Sequence, residues 1–126
     1  MLKVLILDDD EDNCLTLEHI VKFAGYQACS AFDSDTFLSL IDEQHPDVVI
    51  VDLLLGDTDG ISVLAQLDKL PNKPAVIIIS GANQRLLEAA SRSASGHGFR
   101  VLGSLAKPFN PEEVKGVLIK YLNRQD

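Results

Sequence analysis

The sequence predicts an α/β protein in which a doubly wound, five-stranded parallel sheet is covered by five helices. Short apolar runs alternate with segments of helical periodicity along the whole chain, the pattern of a sheet with crossover helices. Four of the runs end on a polar residue, as expected where strands open into a shared crevice. With 126 residues, 46% of them hydrophobic, we expect residues 1–126 to form a single domain.

The first half of the chain contains three strand signals and two helix signals. We expect strands over Val4–Leu7, Gln27–Ala31 and Asp47–Val51, the last buried on both faces because its apolar run is unbroken. Gly25 is placed to end the first helix, and Asp33 to cap the second. The apolar positions that define these helices are Leu17, Ile20, Val21 and Ala24 in the first, and Phe37, Leu40 and Ile41 in the second.

The second half repeats the alternation. A third helix is expected from about Asp59, a strand over Ala75–Ile79 and a fourth helix from about Asn83 to the glycines at 96 and 98. The last strand is expected over Val101–Ala106. Asn110, Pro111 and Glu113 then form a variant of the capping box at the start of the fifth helix.

Composition excludes several classes of protein. A net charge of -8, with no run among the 11 Lys and Arg residues, argues against nucleic-acid binding through this chain. No apolar run approaches the roughly 20 residues that span a bilayer, so no membrane partner is expected. Cys14 and Cys29 are too few for a disulfide scaffold or a zinc cluster, and they indicate a reducing, cytoplasmic location.

Polar residues follow four of the predicted strands. Asp8–Asp10 follow the first strand, Asp52 the third, Ser80 the fourth and Lys107 the fifth. The carboxyl ends of parallel strands share an edge of the sheet, so these groups should meet in one crevice. Carboxylates, a hydroxyl and an ammonium gathered there predict a phosphoryl-transfer site.

Each of these residue types suits one part of that chemistry. Asp52, at the end of the central strand, can attack phosphorus as a nucleophile. Asp8, Asp9 and Asp52 offer oxygen ligands to a hard divalent ion, of which Mg²⁺ is the best match. Lys107 and Ser80 can contact phosphoryl oxygens, so these two residues and Asp52 are the predicted catalytic set.

Other polar residues receive structural interpretations. Asp10 and Asp12 suit helix capping or solvated positions, and Asp57 and Asp59 suit a loop and a helix cap. The three histidines fit no metal-binding spacing and are expected in solvent or at turns.

These motifs together resemble the receiver domain of two-component response regulators. The resemblance rests on Asp8-Asp9, Asp52, Ser80-Gly81-Ala82 and Lys107-Pro108-Phe109, in that order, with Asp59-Gly60 downstream of Asp52. It implies a flavodoxin-like sheet of order 2-1-3-4-5 and a cis bond before Pro108. It also implies that Asp9 binds the metal directly, Asp8 binds it through water, and the Leu54 carbonyl is a further ligand.

The resemblance also implies a function and partners. Asp52 would take a phosphoryl group from a histidine kinase or histidine phosphotransfer protein and signal to a downstream effector domain or protein. The face made by the fourth strand, fourth helix, fifth strand and fifth helix would switch, and a homodimer could form through the last three of these elements. The protein would not be an enzyme beyond catalysing its own phosphorylation and dephosphorylation.

The chain departs from the family at two places. Leu55-Gly56 replaces the usual Met-Pro after the nucleophile, and Thr58 replaces an apolar residue. Ser104 stands three residues before Lys107, where receivers usually carry an aromatic ring that moves on activation. Signalling would therefore use another movement of the fourth helix and the loop before it, or a ring such as Phe99.

Two other classes of function compete with this interpretation. A haloacid-dehalogenase-type phosphohydrolase also uses Mg²⁺ and an aspartyl phosphate, but its nucleophile follows the first strand and an acidic pair follows its lysine. A flavodoxin-like binding module, or a receiver acting only by protein contacts, would not need every acid, the hydroxyl and the lysine together. A flavin phosphate would also be repelled by Asp8–Asp10.

Overall fold

The computed structural model describes residues 1–54, 60–81 and 84–124 of the chain. Within these residues strands and helices alternate throughout, as the sequence predicts. The elements in chain order are β1 (Lys3–Leu7), α1 (Glu11–Phe23), β2 (Gln27–Ala31), α2 (Ser34–Gln44), β3 (Val48–Asp52), α3 (Gly60–Leu67), β4 (Ala75–Ser80), α4 (Gln84–Gly96), β5 (Val101–Ala106) and α5 (Pro111–Arg124).

All five strands form one parallel sheet in the order β2-β1-β3-β4-β5, which confirms the predicted architecture and strand order. Every residue of β3 and β4 is buried, as expected for strands covered on both faces. The chain reverses its direction of winding between β1 and β3, so the carboxyl ends of these two strands border the crevice of the sheet.

Alternating side chains of the sheet pack into two separate apolar layers. On one face, α1 and α5 cover side chains such as Ile6, Ile50 and Ile77. On the other face, α2, α3 and α4 cover neighbours such as Val51 and Ile78. The period of two along each strand therefore supplies both layers from the same apolar runs.

The predicted caps of three helices are confirmed. The Asp10 carboxylate accepts hydrogen bonds from the amides of Asp12 and Asn13, at 2.9 and 3.3 Å. The Asp33 carboxylate accepts a hydrogen bond from the amide of Thr36 at 2.7 Å. Hydrogen bonds from Thr36 hold the pKa of Asp33 below its usual value. Before α5, the Asn110 side chain accepts from the amide of Glu112 at 2.9 Å. Local side chains therefore satisfy helix amides that have no partner within the helix.

Helix ends are also set by local sequence. Gly25 follows α1 with a φ of 99°, a left-handed conformation that glycine adopts without strain. His45 ends α2 in the same region, with a φ of 47°, just before Pro46. The turn position of His45 agrees with its expected role.

The two cysteines lie on opposite sides of the sheet. Cys14 is buried in the layer beneath α1 and α5, whereas Cys29 packs against the layer beneath α2 and α3. Both are free thiols, and burial raises the pKa of Cys14 to about 11. Within the described ranges, no helix is both long and apolar enough to cross a bilayer.

Some predicted boundaries differ from the structure by one or two residues. β3 runs to Asp52 and β4 to Ser80, so both polar residues are the last members of their strands. The predicted helix starts at Asp59 and Asn83 lie outside the described residues, as do the predictions for Asp57, Thr58 and Leu55-Gly56.

Gly60, the first residue of α3, lies directly against the end of β3. A Cβ at this position would be 2.3 Å from the carbonyl oxygen of Asp52 and 2.9 Å from the Cα of Leu53. The Gly60 amide also donates to the Leu53 carbonyl at 2.9 Å. A glycine is therefore required for α3 to begin this close to the strand.

We expect Gly60→Ala to lower the free energy of unfolding by about 1–3 kcal/mol, because backbone atoms of β3 would have to move. Gly116→Ala is the matched control, since Gly116 is exposed in α5 and a Cβ added there would have no neighbouring atom within 4 Å. That variant should gain about 0.5–1 kcal/mol from helix propensity. Urea denaturation measures the free energy of unfolding of both variants. Equal changes in the two would contradict the close approach of α3 to β3.

Candidate functional site

The crevice at the carboxyl end of the sheet brings together residues from three strand ends. Asp8 follows β1, Asp52 ends β3 and Lys107 follows β5. The Lys107 Nζ lies 2.7 Å from Asp52 Oδ2 and 3.0 Å from Asp8 Oδ2. One ammonium group therefore bridges two carboxylates that are far apart in sequence.

Asp8 is completely buried, yet its side chain is only partly satisfied. The amide of Asp10 donates to Oδ1 at 3.0 Å, which fixes the orientation of the carboxylate. Oδ2 forms an ion pair with the Lys107 ammonium, but no hydrogen bond of standard geometry reaches it from the described residues. A buried carboxylate oxygen in this condition is suited to a cation.

Asp9 completes an acidic group with Asp8 and Asp52. One carboxylate oxygen from each of the three lies within 4.8 Å of the others. Asp8 and Asp52 are buried, while Asp9 is exposed and opens the group to solvent. This arrangement can hold a divalent ion with oxygen ligands while leaving positions for water.

The carboxylate of Asp52 is held on both oxygens. Lys107 donates to Oδ2, and the amide of Leu54 donates to Oδ1 at 3.0 Å. Burial nevertheless raises the pKa of Asp52, outweighing the opposing effects of Lys107 and of the Leu54 amide. The charge of Asp52 is therefore costly in the absence of a metal ion.

Lys107 shows the opposite balance. Burial acts to lower the pKa of its ammonium, but the hydrogen bond with Asp52 and the negative charges of Asp52 and Asp8 outweigh burial and raise that pKa. The side chain is 21% exposed, so its positive end remains accessible from the crevice. Lys107 is therefore a permanent positive charge within the acidic group.

Ser80 is buried at the end of β4, between the strands that carry Asp52 and Lys107. Asp52 lies opposite Ile79, one residue before Ser80, and the Lys107 amide donates to the Ser80 carbonyl at 2.8 Å. The predicted cis bond between Lys107 and Pro108 is present. Strand register thus brings Ser80 to the same edge of the sheet as the charged residues.

Leu54 takes part in the site through its backbone. Its amide anchors Asp52, while its side chain is 52% exposed. The role of its carbonyl as a metal ligand stays a prediction.

Two supporting contacts were not predicted from the sequence. Gly60 packs on the Asp52 carbonyl, and the Cys14 thiol donates to the Asp8 carbonyl at 3.3 Å. The Asp59-Gly60 pair signalled a glycine near the nucleophile, but not what it touches. No sequence signal distinguishes the role of Cys14 from that of an ordinary buried residue.

Ser104 occupies the α4 face of β5. A register shift at Leu102 leaves Val101 opposite Val76 and Gly103 opposite Ile77, so Ser104 pairs with Ile78, whose side chain packs beneath α4. The suggestion that Phe99 replaces the missing ring is not supported. Phe99 lies before β5, whose six residues separate it from Lys107 by roughly 20 Å.

The assembled groups have a defined chemical capacity. A nucleophilic carboxylate, a bridging ammonium, a neighbouring hydroxyl and a cluster of oxygen ligands surround one crevice. Such a set can neutralise an incoming phosphoryl group and bond it covalently to Asp52. Rate enhancement would come from position and charge, with little covalent work by other residues.

Comparisons with known proteins identify the same kind of domain. The family model described as the response regulator receiver domain matches residues 4–119. Among solved structures, a response regulator from Colwellia psychrerythraea is 31% identical, with a TM-score of 0.84 and coverage of 98% of both chains.

Curated relatives fall into two length classes. Sporulation initiation phosphotransferase F of Bacillus subtilis is 28% identical and covers 95% of this chain and 93% of its own length. The probable transcriptional regulator ycf27 of Porphyridium aerugineum is also 28% identical and covers 98% of this chain. This chain spans about half the length of that regulator and of other relatives that it matches. On the match of the family model, the chain belongs to the family of response regulator receiver domains.

Proposed function

We propose that this chain accepts a phosphoryl group on Asp52 in a Mg²⁺-dependent reaction. The observation that carries the proposal is the convergence of Asp8 and Asp52 on the ammonium of Lys107 at the carboxyl end of the sheet. A relative of similar length is named a phosphotransferase, which supports a role in moving phosphoryl groups.

In this reaction a carboxylate oxygen of Asp52 attacks phosphorus. The bond from phosphorus to the donor nitrogen or oxygen breaks, its electron pair stays with the donor, and an acyl phosphate forms on Asp52. Lys107 then exchanges part of its contact with Asp52 for a phosphoryl oxygen, and the Ser80 hydroxyl donates to another. The amide of Leu54 keeps the carboxylate oriented throughout.

Asp8, Asp9 and Asp52 would hold the metal ion, together with the Leu54 carbonyl. The fit rests on the unsatisfied Oδ2 of Asp8 and on the 4.8 Å grouping of carboxylate oxygens. When bound, Mg²⁺ supplies positive charge for the phosphoryl oxygens and offsets repulsion between the acids. Among the described residues, the oxygen ligands in this group match the preference of that ion.

A histidine kinase or histidine phosphotransfer protein would be the donor, and an effector domain or protein would read the phosphorylated state. The proposed location is the cytoplasm. We also propose that the chain turns over no other substrate, since its catalytic groups serve formation and loss of its own acyl phosphate. Movement and homodimer formation through α4, β5 and α5 belong to the same proposal.

Incubation with Mg²⁺ and acetyl phosphate should add one phosphoryl group per chain, observed by intact-mass spectrometry. Asp52→Asn should abolish the adduct, because an amide oxygen is a poor nucleophile. Asp42→Asn is the control, since Asp42 is an exposed acid on α2, and it should leave the adduct unchanged. Chelation of the metal should prevent the reaction in the parent protein and in Asp42→Asn.

Continuous release of phosphate without a stable adduct would favour the phosphohydrolase alternative. Absence of both adduct and release would favour a module that acts by protein contacts alone. An adduct that persisted in Asp52→Asn would show that another residue is the nucleophile.

Asp52→Asn should also stabilise the metal-free protein at neutral pH, by about 1 kcal/mol. The folded pKa of Asp52 lies above its ordinary 3.8, so the folded protein holds this proton more tightly than the unfolded chain. Ionisation therefore costs stability above the folded pKa, and the cost disappears as pH falls through that value. The advantage of the variant should shrink in acid.

Chemical denaturation in chelator across the acid-to-neutral range measures this difference, with Asp42→Asn as the reference for removal of one surface charge. Asp8 still pairs with Lys107 in Asp52→Asn, so the ammonium is not left alone. A variant less stable than the parent at neutral pH would contradict the assigned cost of the buried charge.

A further inference from the structure

A second charged cluster lies away from the phosphoacceptor site, where α3 and α4 end. Lys73, in the segment between α3 and β4, lies 2.7 Å from Asp68 Oδ1 and donates to the carbonyl of His97 at 2.5 Å. Asp68 Oδ2 is 3.2 Å from the Nδ1 of His97. His97, the residue that follows α4, is therefore held by Lys73 through its backbone and by Asp68 through its side chain.

The same cluster covers a buried ring. The Lys73 ammonium lies 5.3 Å from the centre of the Phe99 ring, and Phe99 is buried in the layer beneath α3 and α4. An ammonium over an aromatic face adds attraction to the ion pair. The hydrogen bonds and charge of Lys73, with those of His97, lower the pKa of Asp68, which keeps this bridge ionised.

Backbone bonds reinforce this end of α4. The amide of Phe99 donates to Ala94 and that of Gly98 to Ser95, at 3.0 and 3.1 Å. Gly98 has a φ of 88°, and Phe99 packs with Ala94 in the core. These are the two hydrogen bonds and the apolar contact of a Schellman motif, a firm helix ending.

Free space lies along the side of α4 that faces α3. A cavity of about 400 Å³ lies between α3 and α4, with small residues of α4 along one wall. Leu64 and Ala65 line the α3 side, and Ala89, Ala90 and Ser93 line the α4 side. The cavity ends against two residues of the charged cluster and the ring beneath it: Asp68, His97 and Phe99. The small side chains of α4 leave room here for the helix to approach α3.

We propose that Asp68, Lys73 and His97 clamp the C-terminal end of α4 to α3, so that α4 moves by swinging its N-terminal half beside the cavity. The N-terminal end begins at Gln84, shortly after Ser80 in the chain, where a phosphoryl group would act. Identifying that group as the cause of movement rests on the proposed function. The clamp itself is independent of phosphorylation.

The first test compares Lys73→Met with Lys69→Met by hydrogen exchange in the metal-free protein. Methionine keeps an apolar stem near Phe99 but removes the ammonium that binds Asp68 and His97. Lys69 is an exposed neighbour, so its variant matches the change in charge. Amides of residues 94–99 should exchange roughly two- to fivefold faster in Lys73→Met, the range expected for such an ion pair.

Amides of β3 serve as the internal reference for global stability, and their rates should be the same in both variants. Faster exchange at residues 94–99 in Lys73→Met alone supports the clamp. Equal rates there in the two variants would overturn it.

The second test adds Mg²⁺ and beryllofluoride, a phosphoryl mimic, to the parent protein. In the parent protein the mimic should change amide exchange in residues 84–90 and leave residues 94–99 unaltered. In Lys73→Met the change should extend to residues 94–99. Ala89→Leu should reduce the change by partly filling the cavity. Glu88→Leu, at an exposed neighbour outside the cavity lining, should not.

An equal change in amide exchange in both halves of α4 in the parent protein would overturn the proposed swing of its N-terminal half. Protection of residues 52–54 and 107 reports separately whether the mimic binds. If it does not bind, the proposed function fails, and the clamp is then decided by the first test alone.

Discussion

The candidate site depends on one electrostatic constraint, the bridging of two buried carboxylates by the ammonium of Lys107. Asp8 and Asp52 would repel each other because both are buried, and neither can be fully solvated there. Lys107 offsets part of this repulsion, yet burial still raises the pKa of Asp52 and Asp8 Oδ2 still lacks a hydrogen bond among the described residues. The acidic group can therefore accept further positive charge from a bound cation.

The parallel sheet explains why these residues meet. Strand register places Asp52 beside the end of β4, and the fifth strand then delivers Lys107 to the same edge. Gly60 lets α3 begin against the Asp52 carbonyl, while the Asp10 and Leu54 amides orient the carboxylates. Apolar packing on both faces thereby supports a rigid frame beneath a charged crevice.

Much of this arrangement follows from local sequence. The bounds of β2 and β5 agree with Gln27–Ala31 and Val101–Ala106, and the caps at Asp10, Asp33 and Asn110 have short-range signals. Apolar periodicity identifies the strands and helices, and the order of polar strand ends identifies the chemistry. The family model and the solved relatives agree with that interpretation.

Contacts between distant segments could not be predicted in the same way. The sequence places Gly60 near the nucleophile but does not reveal its approach to the Asp52 carbonyl. Phe99 is one example: the sequence offers it as an alternative to the missing ring, but the direction of β5 places it at the opposite end of that strand from Lys107. The cluster of Asp68, Lys73 and His97 likewise depends on packing between α3 and α4, which no local pattern specifies.

The most direct test of the central claim is a crystal structure of the protein with Mg²⁺ and beryllofluoride. We expect beryllium bonded to a carboxylate oxygen of Asp52, Mg²⁺ bound directly by Asp9 and Asp52 and through water by Asp8, and Lys107 against a fluorine. A crevice without the mimic, or a mimic attached to another residue, would contradict it.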